Sequence, residues 1–216
     1  MRDPLPVTVL ISGRGSNMVA LARAGLEGRM PARVTAVISD RPGAPGLATA
    51  RELGIEARAV PPAPGMDRAT YGAELATAVR SHSPGLVLLA GFMRILDPAF
   101  TTEFAGRLFN IHPSLLPLYP GLHTHRRALE AGDRVHGCTV HFVTAELDAG
   151  PRIVQARVPI LAGDDEGSLS ARVQRWEHII YPEAAAWFAA GRLVMREGSA
   201  WLDGRRLEEP VMRGEA

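Results

Sequence analysis

The first half of the chain alternates short apolar runs with segments of helical periodicity. Apolar runs bounded by turn residues predict buried strands, and apolar positions three or four residues apart predict amphipathic helices. The predicted strands are residues 7–11, 34–39, 55–60 and 86–90, and the predicted helices are residues 18–29, 47–53 and 67–81. Strands and helices that alternate at this spacing indicate βαβ units around a parallel sheet.

The hydrophobic pattern changes after Asn110. Residues 137–144 and 153–160 alternate apolar and polar positions around a turn at residues 148–151, which predicts an antiparallel strand pair added to the sheet. Residues 168–190 predict a long amphipathic helix that Pro182 kinks or divides. Asp203 and Gly204 predict a terminal hairpin turn. We therefore expect a three-layer α/β/α protein with a mostly parallel sheet, in one domain spanning residues 1–216.

Composition limits the classes of protein that fit. Apolar residues make up 46% and charged residues 22% of the 216 residues, which is ordinary for a soluble globular protein. No apolar run approaches the roughly 18 residues of a membrane span, and the N-terminus lacks a signal peptide pattern, so we expect a cytoplasmic protein without a membrane partner. A net charge of +1 argues against a protein that grips nucleic acid.

The chain has no lysine and one cysteine. All 24 basic residues are arginine, which excludes a Schiff-base lysine, a pyridoxal phosphate site and a Walker-type phosphate loop. Cys138 permits no intramolecular disulfide and no multi-cysteine metal site, and it is expected to be a small buried strand residue.

The segment SGRGSN, residues 12–17, lies between a predicted strand and a predicted helix. Gly13 and Gly15 allow a tight turn, and the amides of the helix start together with Ser16 can bind a phosphate. The alternative is a turn capped by Ser16 or Asn17. A dinucleotide fingerprint is not indicated, because a third glycine is missing and no acidic residue is evident at the next strand end.

The segment NIHPSLLPLYPGLHTH, residues 110–125, is the most informative of the chain. Asn110 and His112 are two residues apart, so at a strand end they point to the same face. An amide can hold a developing oxyanion, an imidazole can move a proton near neutral pH, and Asp148 nearby would stabilise the imidazolium. The alternatives are a structural histidine and a turn-forming aspartate.

Other candidate residues each have a structural alternative. The segment GFMRIL, residues 91–96, could line an apolar slot for a flat ring or pack in the core. His123 and His125 are loop residues or substrate contacts; no further ligands stand out, so no metal site is predicted. His141 is a core residue or a support for the site, and Glu177 could bind sugar hydroxyls or lie on a solvated helix face.

Taken together, these motifs resemble the folate-dependent phosphoribosylglycinamide formyltransferases of purine biosynthesis. The resemblance runs from about Val7 to Leu207 and includes VLISGRGSN, LLAGFMRIL, FNIHPSLLPLYPGLHTH, GCTVHFVTAELDAGPRIVQARVPI and AWLDGRRL. It implies a Rossmann-like formyltransferase fold, with a phosphate-binding half of about residues 1–105 and a folate-binding and catalytic half of about residues 106–216. The central motif is shared more loosely with methionyl-tRNA formyltransferase and formyltetrahydrofolate deformylase.

The resemblance implies a full set of site residues. His112 would be the general acid, tuned by Asp148, and Asn110 would hold the oxyanion. The ribonucleotide substrate, glycinamide ribonucleotide, would contact Gly15, Ser16, Asn17, Gln174, Arg175, Trp176 and Glu177. The co-substrate, 10-formyltetrahydrofolate, would contact Arg68, Met93, Arg94, Ile95, Leu96, Asn110, Thr144, Ala145, Glu146, Leu147 and Asp148, with no metal.

Three positions depart from the family pattern: Arg14 in the phosphate loop, Trp176 in the substrate segment and Leu118 in the loop after His112. Three other functions stay open. A folate deformylase would need only Asn110, His112 and Asp148, methionyl-tRNA formyl transfer would need a further C-terminal domain, and a nucleotide-binding module would leave those three residues unexplained. The sequence leaves monomer and homodimer open, as well as the isomer of the Leu116–Pro117 bond.

Overall fold

The computed structural model describes residues 3–214, which form two compact units. The first unit ends at Asn110 and the second begins at Ile111. The expected single domain with halves of about 1–105 and 106–216 stays a prediction.

The first unit is built on parallel strands in the order β5-β4-β1-β2-β3. Its strands are β1 (Leu5–Ile11), β2 (Ala32–Ser39), β3 (Glu56–Ala59), β4 (Leu86–Leu89) and β5, which runs from Leu108 to His112 and pairs with β4 through Leu108–Asn110. Its helices are α1 (Ser16–Leu26), α2 (Pro45–Glu52), α3 (Arg68–Arg80) and α4 (Pro98–Glu103).

Burial explains why the apolar runs of this unit form strands. All four residues of β4 and the last five of β1 are buried, as expected for parallel strands that are covered on both faces. The predicted strands and helices are confirmed within a few residues at their ends. Helix α4 was not predicted, because six residues that begin at Pro98 carry little periodicity; Asp97 caps it by accepting a hydrogen bond from Ala99 N.

The second unit contains the predicted antiparallel pair. β6 (Val135–Phe142) runs antiparallel to β7 (Arg152–Pro159), whereas β11 (Val211–Gly214), which was not predicted, runs parallel to β7. The terminal hairpin is confirmed and extends to three short strands, β8 (Leu193–Arg196), β9 (Ser199–Leu202) and β10 (Arg205–Arg206), with Asp203 and Gly204 in the left-handed turn.

The long C-terminal helix is continuous. α6 (Glu166–Ala189) contains Pro182 without being divided, and its start is fixed by a capping box in which Asp165 and Ser168 exchange hydrogen bonds. A short helix, α5 (Thr124–Glu130), was not predicted. The predicted class, an α/β protein with a mostly parallel sheet and antiparallel C-terminal strands, is confirmed. Within residues 3–214, no helix is both long and apolar enough to cross a membrane.

Candidate active site

The predicted phosphate loop is a sharp turn from β1 into α1. Gly15 has φ 74° and occupies the N-cap position of α1, and a Cβ atom there would lie 3.3 Å from Gly46 Cα. Ser16 and Asn17 are the first two residues of the helix, so the alternative of a turn capped by either of them is wrong. Gly15 has no side chain, so the N-cap position supplies no side-chain cap to the first turn of α1.

A buried acidic residue follows β2, contrary to the expectation that none marks that strand end. The Asp40 side chain is 3% exposed, accepts a hydrogen bond from Ser12 Oγ at 2.6 Å and another from Arg94 Nε at 2.9 Å. The dinucleotide fingerprint uses the acid at this position to bind a ribose hydroxyl. In this protein the Asp40 carboxylate already accepts hydrogen bonds from two protein donors.

The predicted folate segment, residues 93–96, follows β4 and is exposed. Met93 is 58% and Ile95 is 61% exposed, so the alternative of core packing is wrong for these two side chains, whereas Leu96 is half-buried. Arg94 stacks its guanidinium 5.3 Å from the Tyr71 ring centroid. The other predicted folate contact of this unit, Arg68, is the first residue of α3 and lies 4.0 Å from Asp97.

In the second unit, His112 ends β5 with both ring nitrogens facing oxygen atoms. Its Nε2 is 2.9 Å from the carbonyl oxygen of Tyr119, and its Nδ1 is 3.5 Å from Asp148 Oδ2. A carbonyl oxygen and a carboxylate only accept hydrogen bonds, so each ring nitrogen of His112 faces an atom to which an N–H could donate.

Asp148 is held by backbone geometry. It has φ 52°, in the left-handed region, and its side chain is 7% exposed. Its Oδ2 accepts a hydrogen bond from Gly121 N at 2.9 Å, while its Oδ1 is 3.8 Å from Nε2 of a second imidazole, His141. One carboxylate thus faces two histidines of the same unit.

The second of these histidines, His141, is neutral at pH 7. His141 directs Nδ1 at the carbonyl oxygen of Phe142 at 2.8 Å, and burial lowers the pKa of this histidine to about 4. At neutral pH the His141 ring is therefore neutral, with its proton on Nδ1, and its Nε2 offers Asp148 no proton. Of the two imidazoles that face Asp148, only His112 has a ring nitrogen that can donate to it at neutral pH.

The loop after β5 fixes the carbonyl that His112 contacts. Ser114 Oγ donates to the carbonyl oxygens of Leu118 at 2.6 Å and Tyr119 at 3.3 Å, and the Tyr119 hydroxyl donates to Asp133 at 2.6 Å. The Leu116–Pro117 peptide bond in this loop is cis. Sequence reasoning missed the Tyr119 carbonyl and the Gly121 amide, because both are backbone atoms that no residue type reveals.

The remaining predicted contacts lie on α6 and on the loop after β6. Glu177 is 8% exposed, so the alternative of a solvated helix face is wrong for it, whereas Gln174 and Trp176 are half-buried and Arg175 is exposed. In the loop, Thr144 is half-buried, and the next three residues, Ala145, Glu146 and Leu147, are exposed. The roles assigned to all of these residues stay predictions.

Two other histidines of the second unit, His125 and His136, lie against each other. The rings of His125 and His136 pack edge to face with centroids 5.1 Å apart, and burial lowers the pKa of His136 to about 4. Burial also raises the pKa of Cys138, which agrees with its predicted role as a buried strand residue. Over the described part of the chain, no three histidine, cysteine or acidic side chains are grouped as a metal ion would require.

Comparison with known proteins identifies the class. Residues 5–185 match the formyl transferase family model, so the chain belongs to the formyl transferase family. Phosphoribosylglycinamide formyltransferase of Escherichia coli K12 is 54% identical over 201 residues, which cover 93% of this chain and 95% of that protein.

Solved structures agree with the fold. The phosphoribosylglycinamide formyltransferase of Coxiella burnetii is 44% identical, has a TM-score of 0.92, and is matched over 97% of this chain and 99% of its own. Glycinamide ribonucleotide transformylase 1 of Symbiobacterium toebii is 46% identical, with a TM-score of 0.90 over 94% and 95% of the two chains. The Rossmann-like formyltransferase fold implied by the sequence resemblance is confirmed.

Proposed function

We propose that the chain transfers the formyl group of 10-formyltetrahydrofolate to the amine of glycinamide ribonucleotide, giving formylglycinamide ribonucleotide and tetrahydrofolate in purine biosynthesis. The contact between His112 and Asp148 carries the proposal, because it supplies a proton donor to a chain whose relatives are named for this reaction. Cytoplasmic location and a monomeric or homodimeric state stay predictions.

The first unit supplies ligand contacts. The start of α1, with Gly15, Ser16 and Asn17, binds the phosphate of the ribonucleotide through backbone amides and the Ser16 hydroxyl. The exposed apolar side chains of Met93 and Ile95, with Leu96, contact the flat ring of the folate, and transfer of such surface out of water favours binding. Arg68 and Arg94 complete the folate contacts of this unit.

The second unit supplies the remaining contacts. Glu177 accepts hydrogen bonds from the ribose hydroxyls, and its low exposure strengthens such bonds. Gln174, Arg175 and Trp176 contact the rest of the ribonucleotide. The loop of residues 144–148 contacts the folate. Asp148, the last residue of this loop, is the one that takes part in the formyl transfer.

The reaction proceeds through a tetrahedral intermediate. The amine nitrogen of the ribonucleotide forms a bond with the formyl carbon, and the formyl oxygen becomes an oxyanion. The Asn110 amide donates a hydrogen bond to this oxyanion, and protonated His112 donates a second. As general acid, His112 passes its proton to the oxygen and takes it back when the intermediate collapses. The bond from the formyl carbon to folate N10 then breaks, and N10 receives the proton that the amine loses.

Asp148 acts on His112 and on the moving proton. Its negatively charged carboxylate stabilises the imidazolium of His112. Neither of its other neighbours neutralises that charge, because His141 is neutral at pH 7 and the Gly121 amide is an uncharged donor. It also orders the water that carries the amine proton to folate N10. Binding of both substrates supplies a further large part of the acceleration through proximity.

A formyl-transfer assay tests the proposal. The purified chain is incubated with 10-formyltetrahydrofolate, with and without glycinamide ribonucleotide, and without added metal. Formation of tetrahydrofolate that depends on the ribonucleotide is expected. Equal turnover without it would instead indicate a folate deformylase, and no turnover in either mixture would contradict the proposal.

A further inference from the structure

The carboxyl ends of three neighbouring strands of the first unit meet at Asp40. β1, β2 and β4 are parallel, with β1 between the other two, and they lead into Ser12, Asp40 and residues 90–96. Backbone bonds already join two of these ends, because Ser12 N donates to the carbonyl oxygen of Gly91 at 3.1 Å. Asp40 itself belongs to neither predicted ligand-binding segment.

Side-chain hydrogen bonds from Asp40 reach both of those segments. Ser12, the first residue of the phosphate loop, donates its hydroxyl to Asp40 Oδ1 at 2.6 Å and accepts the amide of Met93 at 2.8 Å. Arg94 Nε donates to Asp40 Oδ2 at 2.9 Å. The one carboxylate therefore fixes the start of the phosphate loop and, directly or through Ser12, two consecutive residues of the folate segment.

The negative charge of Asp40 matters to this arrangement. An ionised carboxylate accepts from both donors at once, and hydrogen bonds to charged groups are roughly twice as strong as neutral ones. The guanidinium of Arg94 is held between this charge and the face of Tyr71, whose hydroxyl donates to the carbonyl oxygen of Val60 at 3.1 Å. An asparagine of the same shape would present one donor atom, and could not accept from Ser12 and Arg94 together.

We infer that Asp40 is a positioning residue that holds the phosphate loop and the folate segment in their binding conformations at the same time. Loss of its charge frees Arg94 and loosens Met93, so the folate segment samples conformations that bind less well. Loss of the charge also weakens the hydrogen bond from Ser12 to Asp40, so the loop that precedes α1 is held less firmly. The inference rests on the proposed function, since it concerns the binding of both substrates of the transfer.

The test compares three variants with the wild-type chain. Asp40→Asn keeps the shape and removes the charge, and Ser12→Ala removes the link to the Met93 amide while leaving Arg94 on Asp40. Arg41→Ala is the matched control, because Arg41 adjoins Asp40 but lies 4.0 Å from it with a side chain that is 63% exposed. KM for each substrate, kcat, and hydrogen exchange of the amides of residues 91–96 are measured for all four proteins.

In Asp40→Asn we expect KM to rise about tenfold for the folate and by a smaller factor for the ribonucleotide, with kcat within about twofold of wild type. The amides of residues 91–96 should exchange faster in Asp40→Asn and in Ser12→Ala, and at the wild-type rate in Arg41→Ala. A general loss of stability would not raise both KM values while leaving kcat in place.

Unchanged KM values in Asp40→Asn would overturn the inference, as would a fall in kcat alone or equal exchange rates in Asp40→Asn and Arg41→Ala. The exchange measurement does not depend on turnover. If the wild-type chain showed no ribonucleotide-dependent transfer, the proposed function would fail separately. The positioning role would then be supported by faster exchange in Asp40→Asn or overturned by its absence.

Discussion

Two buried aspartates, one in each unit, differ in how completely their charge is satisfied. Asp40 accepts a hydroxyl at 2.6 Å and a guanidinium nitrogen at 2.9 Å. Among the described residues, Asp148 accepts one short hydrogen bond, from Gly121 N, and faces imidazole nitrogens at 3.5 and 3.8 Å.

This difference suits the two carboxylates to different roles. A carboxylate whose donors are all short is fixed, and it can hold a loop in place. A carboxylate with one short bond and a longer contact to a titratable ring can tighten that contact when substrate arrives, and catalytic hydrogen bonds are often long before it does. This contrast supports the two proposals, in which Asp40 positions the binding segments and Asp148 acts on His112.

The largest effect is expected from His112→Asn. Loss of the general acid should lower kcat by roughly 10²-fold or more, with smaller changes in KM. His82→Asn is the matched control, because His82 Nδ1 is 3.6 Å from Glu56 Oε2, a similar contact in the first unit. Turnover near wild type in His112→Asn, or an equal loss in His82→Asn, would contradict the assignment.

The pH dependence of stability should report on the buried histidines of the second unit. Burial lowers the pKa of His136 and of His141 to about 4 in the folded protein, below the ordinary value of 6.5. The unfolded chain therefore binds more protons between these values, so stability is complete above about pH 6.5 and falls as the pH drops towards 4. Each histidine contributes about 2 kcal/mol over this interval, so urea unfolding should show a loss on the order of 4 kcal/mol between pH 7 and pH 5.

Replacement of one buried imidazole identifies the source of that loss. His136→Gln should unfold with a weaker dependence on pH than the wild-type chain over the same interval. The Asp164 carboxyl, whose pKa the Arg172 side chain holds below its usual range, cannot account for the loss, because its stabilisation disappears below about pH 4. Equal stability of the wild-type chain at pH 7 and pH 5 would contradict the claim that His136 and His141 are buried in their neutral form.

A smaller effect is expected at the phosphate loop. Ser16→Asp places a negative charge at the start of α1 and should raise KM for glycinamide ribonucleotide about tenfold, since like charges repel there, with KM for the folate little changed. Thr102→Asp introduces the same charge at an exposed position of α4 and should leave both values in place. An unchanged KM in Ser16→Asp would mean that the phosphate binds elsewhere.

The sequence predicted those parts of the fold whose signal is local. The apolar run of β4 is visible within a few residues, and so is the segment of β6, although seven of the eight residues of β6 are buried rather than alternately exposed. β11 was missed because Val211–Gly214 is short and mostly exposed, and its pairing with β7 joins positions more than fifty residues apart. Pro182 suggested a kinked or divided helix, and α6 continues through it undivided, so tertiary packing overrides the local tendency to end the helix there.

Residue types identified candidate chemistry, and the roles given to those residues stay predictions. Asn110, His112 and Asp148 stood out because an amide, an imidazole and a carboxylate form a recognisable set. The neutral state of His141 depends on burial, which the sequence pattern did not give. Asp40 was passed over because its position directly after β2 gave no sign of the donors from Ser12 and Arg94 that occupy it.

The central claim is that Asp148 acts through His112, and a double-mutant cycle measured by kcat tests it most directly. Asp148→Asn alone should lower kcat by roughly 10²-fold, whereas the same change in the His112→Asn background should lower it by less than about twofold, because residues that act as one unit are not additive. Asp203→Asn, at an exposed ion pair with Arg192, is the control in both backgrounds. Losses that multiply in the double variant would show that Asp148 acts independently of His112 and would contradict the account.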